Sequence, residues 1–125
     1  MFDLVNAPEL NDRVLRAAAA NGGSMVPPFP AMAFGVSAEH QAMVDSLCMP
    51  QPLTTFCERI RITGACANIA KKAYVLATAW EASPNRPTYE RVKKLKDWST
   101  YEVNCGHDVM IEAPERLAEI LLEMM

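Results

Sequence analysis

One histidine in this chain stands where an imidazole could do acid–base work. His107 follows Gly106 and precedes Asp108 in "NCGHDVMIEAPERLAEILLEM", residues 104 to 124. A neutral imidazole titrates near physiological pH and can take a proton and later return it. A base needs a nucleophile, so two side chains require weighing. Cys105 lies two residues before the histidine at a strand end, too close in sequence to leave room for a substrate between them. Ser37 sits in "GVSAE", residues 35 to 39, which imitates a Gly-x-Ser-x-Gly elbow but lacks the second glycine and follows a proline-rich loop instead of an apolar strand. A helix cap explains Ser37 better. Glu81, in the loop "EASPNRP", reads on its own as an exposed loop glutamate. Asp108 adjoins His107 but points away from it in an extended loop and receives no role.

The four cysteines, at 48, 57, 66 and 105, include no pair at zinc-knuckle spacing, and His40 and His107 lie far apart. No metal or cofactor is expected. Net charge is −3, which argues against nucleic acid, and "RVKKLK" at 91–96 reads as a solvated helix face. No stretch approaches the ~18–20 apolar residues of a membrane span. An acidic start, "MFDLVNAPEL", is unlike a secretion signal, so the expected compartment is the cytoplasm and reduced thiols are the expected state.

The elements that must hold these residues divide near position 64. Asn6 is placed to cap a first helix with Pro8 in its first turn and Leu10, Val14 and Leu15 on its apolar face, ending at Gly22 or Gly23. Prolines 27, 28 and 30 impose a loop. A second helix follows Ser37 with Met43, Val44 and Leu47 on one side, and Pro50 and Pro52 end it. Leu53 to Glu58 can form one more short turn of helix, and no strand is expected before Gly64. Beyond it the apolar run 73–78 reads as a strand buried on both faces, 88–95 as a helix with Tyr89, Val92 and Leu95 spaced by three, and 99–105 as an alternating strand. The last helix opens at Pro114 with an apolar stripe at Leu117, Ile120, Leu121 and Met124. Strand, helix, strand and helix in that order make a parallel crossover unit, and the fold class is α/β.

"NCGHDVMIEAPERLAEILLEM" resembles the C-terminal end of α/β-hydrolase-fold enzymes, where a Gly-His loop follows the last strand and a proline opens the final helix. "VPPFPAMAFGV", "MPQPLTTFCERIRITGA" and "AYVLATAW" are similar to the cap remnant, post-cap helix and penultimate strand of the esterase and hydroxynitrile-lyase-like branch. The resemblance runs from about Asn6 to Met125 and is sharpest over 105–117. It implies a partial α/β-hydrolase fold, with residues 1–64 derived from the cap and 65–125 supplying the last two parallel strands and C-terminal helix. It makes His107 the general base of Ser-His-acid ester hydrolysis on a small ester-like substrate. Departures are as informative. The serine elbow and the oxyanion loop are absent, and where the family often places an acid after the penultimate strand this chain has Trp80, with Glu81 one residue late. The implied activity belongs to an enzyme completed by a nucleophile-bearing N-terminal half. The alternative is an inactive relic acting as an oligomeric interaction protein. In either case the edge of strand 73–78 is expected to pair, with the missing half or with a second copy.

Overall fold

The computed structural model describes residues 8–58 and 63–125. They form mixed α/β structure with two small two-stranded sheets. Asn6, the expected cap of the first helix, lies outside the described residues, as do the side chains of Leu10 and Cys66. Two compact units divide the chain, and the boundary differs from a single cut near residue 64: Pro30–Val44 packs with the C-terminal part.

The first unit comprises residues 8–29 and 45–58. Helix α1, Pro8–Ala20, starts on a proline whose missing N–H costs nothing in a first turn. It stops where Gly22 and Gly23 take φ of 80° and 81°, values that side chains with a Cβ avoid. Its buried face is Val14 and Ala18, four apart, packed with Val26 and partly buried Phe29, Leu53 and Phe56. Leu15 is not on that face; it is half exposed, because it lies about 100° round the helix from Val14. The proline-rich stretch contributes an unforeseen strand: β1, Met25–Val26, pairs antiparallel with β2, Gln51–Pro52. Pro52 donates no hydrogen bond, and the Leu53 N–H to Ser24 carbonyl bond (2.8 Å) extends the contact. Helix α3, Thr54–Cys57, is the short turn expected there.

The second unit comprises Pro30–Val44 and residues 63–125. A 3-10 turn, Ala31–Phe34, ends at Gly35 with φ 70° and leads into α2, Ala38–Leu47. Contrary to expectation α2 buries no residue; Met43 and Leu47 stand 44% and 73% exposed. Strands β3, Lys72–Ala77, and β4, Trp98–Val103, are parallel in register Lys72↔Trp98 through Ala77↔Val103. Each ends short of its expected limit, since Thr78 and Cys105 already belong to the loops.

The crossover helix α4, Arg86–Val92, begins earlier than the periodicity predicts, with Pro87 in its first turn. Tyr89 and Val92 are its buried residues, while Leu95 lies beyond its end and is 46% exposed. The Tyr89 hydroxyl donates to Glu102 Oε1 (2.8 Å) and its ring lies 6.2 Å from that of Tyr74, so α4 covers one face of the sheet. On the other face Ala77, Val103, Cys105, Val109 and Ile120 form the core, with Val75, Tyr101 and Leu117 beside it. That face is closed by a one-turn helix α5, Val109–Glu112, absent from the sequence reading, and by α6, Pro114–Glu123. Along the expected stripe of α6 only Ile120 is buried; Leu121 is 59% exposed. Strand β3 is fully buried only at Leu76 and Ala77, its carboxyl end. The best-packed part of the sheet is therefore the end from which the histidine loop leaves.

Candidate active site

The parallel ladder does not stop where the strands do. Thr78 donates its N–H (2.9 Å) and its hydroxyl (3.2 Å) to the Val103 carbonyl, and the Ala79 N–H reaches the Cys105 carbonyl at 3.1 Å. The two chain ends therefore leave the sheet in step. With Ala77 opposite Val103, the next residues to splay out are Trp80 and His107. Their rings meet edge to face, with centroids 5.1 Å apart and planes at 60°. Phe34 closes the group: its centroid lies 5.8 Å from the imidazole and 5.6 Å from the indole. These rings are half-buried, so the imidazole has an apolar bed and an open side.

The backbone around His107 is fixed from several directions. Its N–H donates to the Phe34 carbonyl (3.0 Å), and its carbonyl accepts the Val109 N–H (3.0 Å). The chain at Gly106 presses so closely on Gly35 that a Cβ there would collide with the Gly35 carbonyl. Here glycine is required by space and not by backbone angle, because Gly106 is not among the positive-φ residues. Gly35 needs both: its φ is positive and a Cβ would sit 3.1 Å from the Trp80 Cβ. Glu112, the last residue of α5, completes the arrangement. Its Oε2 accepts the Gly106 N–H and its Oε1 the Ser37 N–H, each at 2.7 Å.

The structure places the other sequence candidates as follows. Glu81 is exposed in the loop after β3, and among the described residues no hydrogen bond joins it to the imidazole. Cys105 is buried in the core below the loop, 6% exposed. Burial, and secondarily the nearby Glu112 carboxylate, push its thiol pKa up. A buried thiol held protonated is a poor nucleophile. Ser37 occupies the position before α2, and its carbonyl accepts the His40 and Gln41 N–H groups. Its hydroxyl makes no cap, however: the Oγ is buried with no hydrogen-bond partner. An inaccessible hydroxyl serves neither as cap nor as nucleophile. Asp108 starts α5 through its carbonyl, which accepts the Ile111 and Glu112 N–H groups, without a side-chain cap. Among the described residues no cluster of His, Cys, Asp and Glu could hold a metal, and no helix is long and apolar enough to cross a membrane.

Sequence reasoning missed Glu112 and Phe34. A single charge in the apolar run "VMIEA", five residues after the histidine, was the available signal for Glu112. Phe34 had none, because it reaches His107 across more than seventy residues of chain.

Over 97 residues, 78% of the chain, the sequence is 33% identical to a curated esterase, a distant and partial likeness to an esterase-like hydrolase. That relative is the carbendazim hydrolyzing esterase of Nocardioides sp. (strain SG-4G), and the chain spans 40% of its length. No protein-family model matches the chain. No solved structure matches it either.

Proposed function

We propose that this chain is the histidine-bearing part of an esterase-like α/β-hydrolase, with His107 the general base for a serine nucleophile. The observation that carries the reading is the position of the imidazole: half-buried, with an open side, just past the carboxyl ends of two parallel strands. Those ends are where ligands bind in open α/β sheets. The likeness to the Nocardioides esterase supports it. Within these 125 residues there is no Gly-x-Ser-x-Gly, so the nucleophile and the oxyanion donors would come from polypeptide outside them. The same is proposed of the triad acid, since Glu81 makes no bond to the ring. The substrate would be a small ester or related acyl compound, cleaved by serine attack while His107 takes the hydroxyl proton and then delivers it to the leaving group.

A two-stranded sheet flanked on one edge only fits this reading. Among the described residues β3 pairs only with β4, and its other edge would receive the rest of the hydrolase sheet. Until it does, that edge is expected to join copies of the chain. Sedimentation at low micromolar concentration should then show a dimer or larger species, and a compact monomer would refute the pairing.

The direct test of the reading is a chimera in which this chain replaces the matched stretch of the Nocardioides esterase. It should hydrolyse p-nitrophenyl acetate, and His107→Ala should lower kcat by at least ~10³-fold, the scale of losing a triad member. The isolated chain should show no turnover above its own His107→Ala variant. A folded chimera as active with His107→Ala as without it would end the proposal.

A further inference from the structure

Glu112 is a half-buried carboxylate whose two oxygens are both used, yet neither touches the imidazole. Oε2 takes the N–H of the residue preceding His107, and Oε1 takes the Ser37 N–H, from a segment 75 residues away in sequence. Both bonds are 2.7 Å, short as charged acceptors make them. Ser37 in turn belongs to the segment that supplies Phe34, whose carbonyl holds the His107 N–H and whose ring lies beside the imidazole. The carboxylate thus ties the histidine loop to the strand of chain that forms half of the imidazole's bed. The tight Gly35–Gly106 crossing is held closed by the same clasp, since a Cβ at Gly106 would also lie 2.9 Å from Glu112 Oε1.

We propose that Glu112 is a positioning residue for His107, setting where the imidazole stands by clamping Gly106 and Ser37 together. The inference rests on His107 being the general base. A displacement of about 1 Å in a catalytic group can cost 10²-fold in rate, so a clamp one residue from the base bears directly on catalysis. A neutral glutamine can still accept one N–H through its carbonyl oxygen, but its amide group faces the second N–H donor to donor. Glu112→Gln should therefore open one side of the clamp with almost no change in volume.

The test begins with the unaltered chain. Amide hydrogen exchange at Gly106 and Ser37 should be at least tenfold slower than at open loop positions such as Glu81. Fast exchange at both would overturn the proposal before any variant is made. In Glu112→Gln, protection at these two amides should fall about tenfold or more. The His107 ring-proton resonances, displaced by the Trp80 and Phe34 rings and identified by comparison with His40→Asn, should move toward their open-chain values. Protection at Leu76 and Val103 should stay, which separates loss of the clamp from loss of the fold. Glu112→Asp keeps the charge and should recover part of the ring-current shift. In the chimera, Glu112→Gln should reduce kcat by about a hundredfold with KM little changed. Ring resonances unmoved in Glu112→Gln would overturn the clamp. A clamp confirmed by exchange in a chimera indifferent to His107 would refute the general-base reading alone.

Discussion

The two units of this chain differ in the reach of their side-chain hydrogen bonds, although β1 and β2 join distant segments of the first as well. In residues 8–29 and 45–58, side-chain links such as Arg16 to Asp12, Asn21 to the Ala17 carbonyl and Thr55 to the Pro52 carbonyl join residues three or four apart. The unit that carries His107 has local links too, such as Arg116 to Glu119, but adds ones that span 13 residues for Tyr89–Glu102, 25 for Lys72–Asp97 and 75 for Ser37–Glu112. Local links hold a helix or turn in shape without saying what lies beside it. Non-local links fix one segment against another, and that is what a site needs if one of its groups is to stand within reach of a reacting atom.

The contrast can be broken by measurement. Ile120 is 1% exposed in the sheet core and Val14 is 2% exposed in the other. Ile120→Ala should destabilise its unit by about 2–5 kcal/mol in denaturant unfolding. Val14→Ala removes fewer buried carbons and should cost roughly 2 kcal/mol. If Val14→Ala proved the costlier change, the expectation that the cost follows the number of buried carbons removed would fail.

Two glycines sharpen it. Gly106→Ala forces a Cβ onto the Gly35 carbonyl, and because backbone must move the cost should be about 3 kcal/mol, the upper part of the overpacking range. Gly22→Ala meets no atom and suffers only from its positive φ, about 1–2 kcal/mol. Calorimetry measures both, and the His107 ring resonances should shift in Gly106→Ala but stay put in Gly22→Ala.

Thiol chemistry gives a smaller but clean contrast. Cys48 and Cys57 are exposed and Cys105 is buried, with its pKa raised by desolvation and then by Glu112. Iodoacetamide at neutral pH should label the first two within minutes and leave Cys105 unlabelled until the fold opens, as peptide mass mapping would reveal. Rapid labelling of Cys105 would revive it as a nucleophile.

The smallest expected effect is at the entrance to the sheet. Lys72 Nζ lies 2.6 Å from Asp97 Oδ2, joining the first residue of β3 to the residue before β4. That hydrogen bond leads the causes holding the Asp97 carboxyl below its ordinary range. A depressed folded-state pKa contributes stability above the unfolded carboxylate value, and that contribution is lost as pH falls through the folded value. Lys72→Met should lower stability near neutral pH slightly and leave it unchanged below the folded carboxyl value, so the acid limb flattens; the effect is small because the Asp97 carboxylate is more than half exposed.

The sequence by itself determined the local events. Pro8 and Pro114 opened helices because a residue without an N–H is free of cost only in a first turn, and Pro87, read as loop, turned out to stand in a first turn for the same reason. The alternation of Tyr101 and Val103 marked β4 and its buried side, and the run after Lys72 marked β3. Parallel pairing followed from a connection containing a helix, and with it His107 just past the carboxyl end of β4. Local pattern also misled: Leu15, Met43 and Leu121 suited apolar stripes but are exposed, because periodicity marks a face without saying whether anything packs on it. The hydroxyl of Ser37 had every local reason to cap α2, and burial beside Glu112's clasp left it unpaired instead. Only the tertiary structure decided what surrounds the imidazole. Trp80 stands against it because the ladder continues two residues past the strands, Phe34 because the Gly35–Gly106 crossing brings a distant segment in, and Glu112 because one turn of helix returns its carboxylate to both backbones. Those contacts depend on strand register and chain crossing, quantities set by the packing of the whole unit and carried by no single stretch of residues.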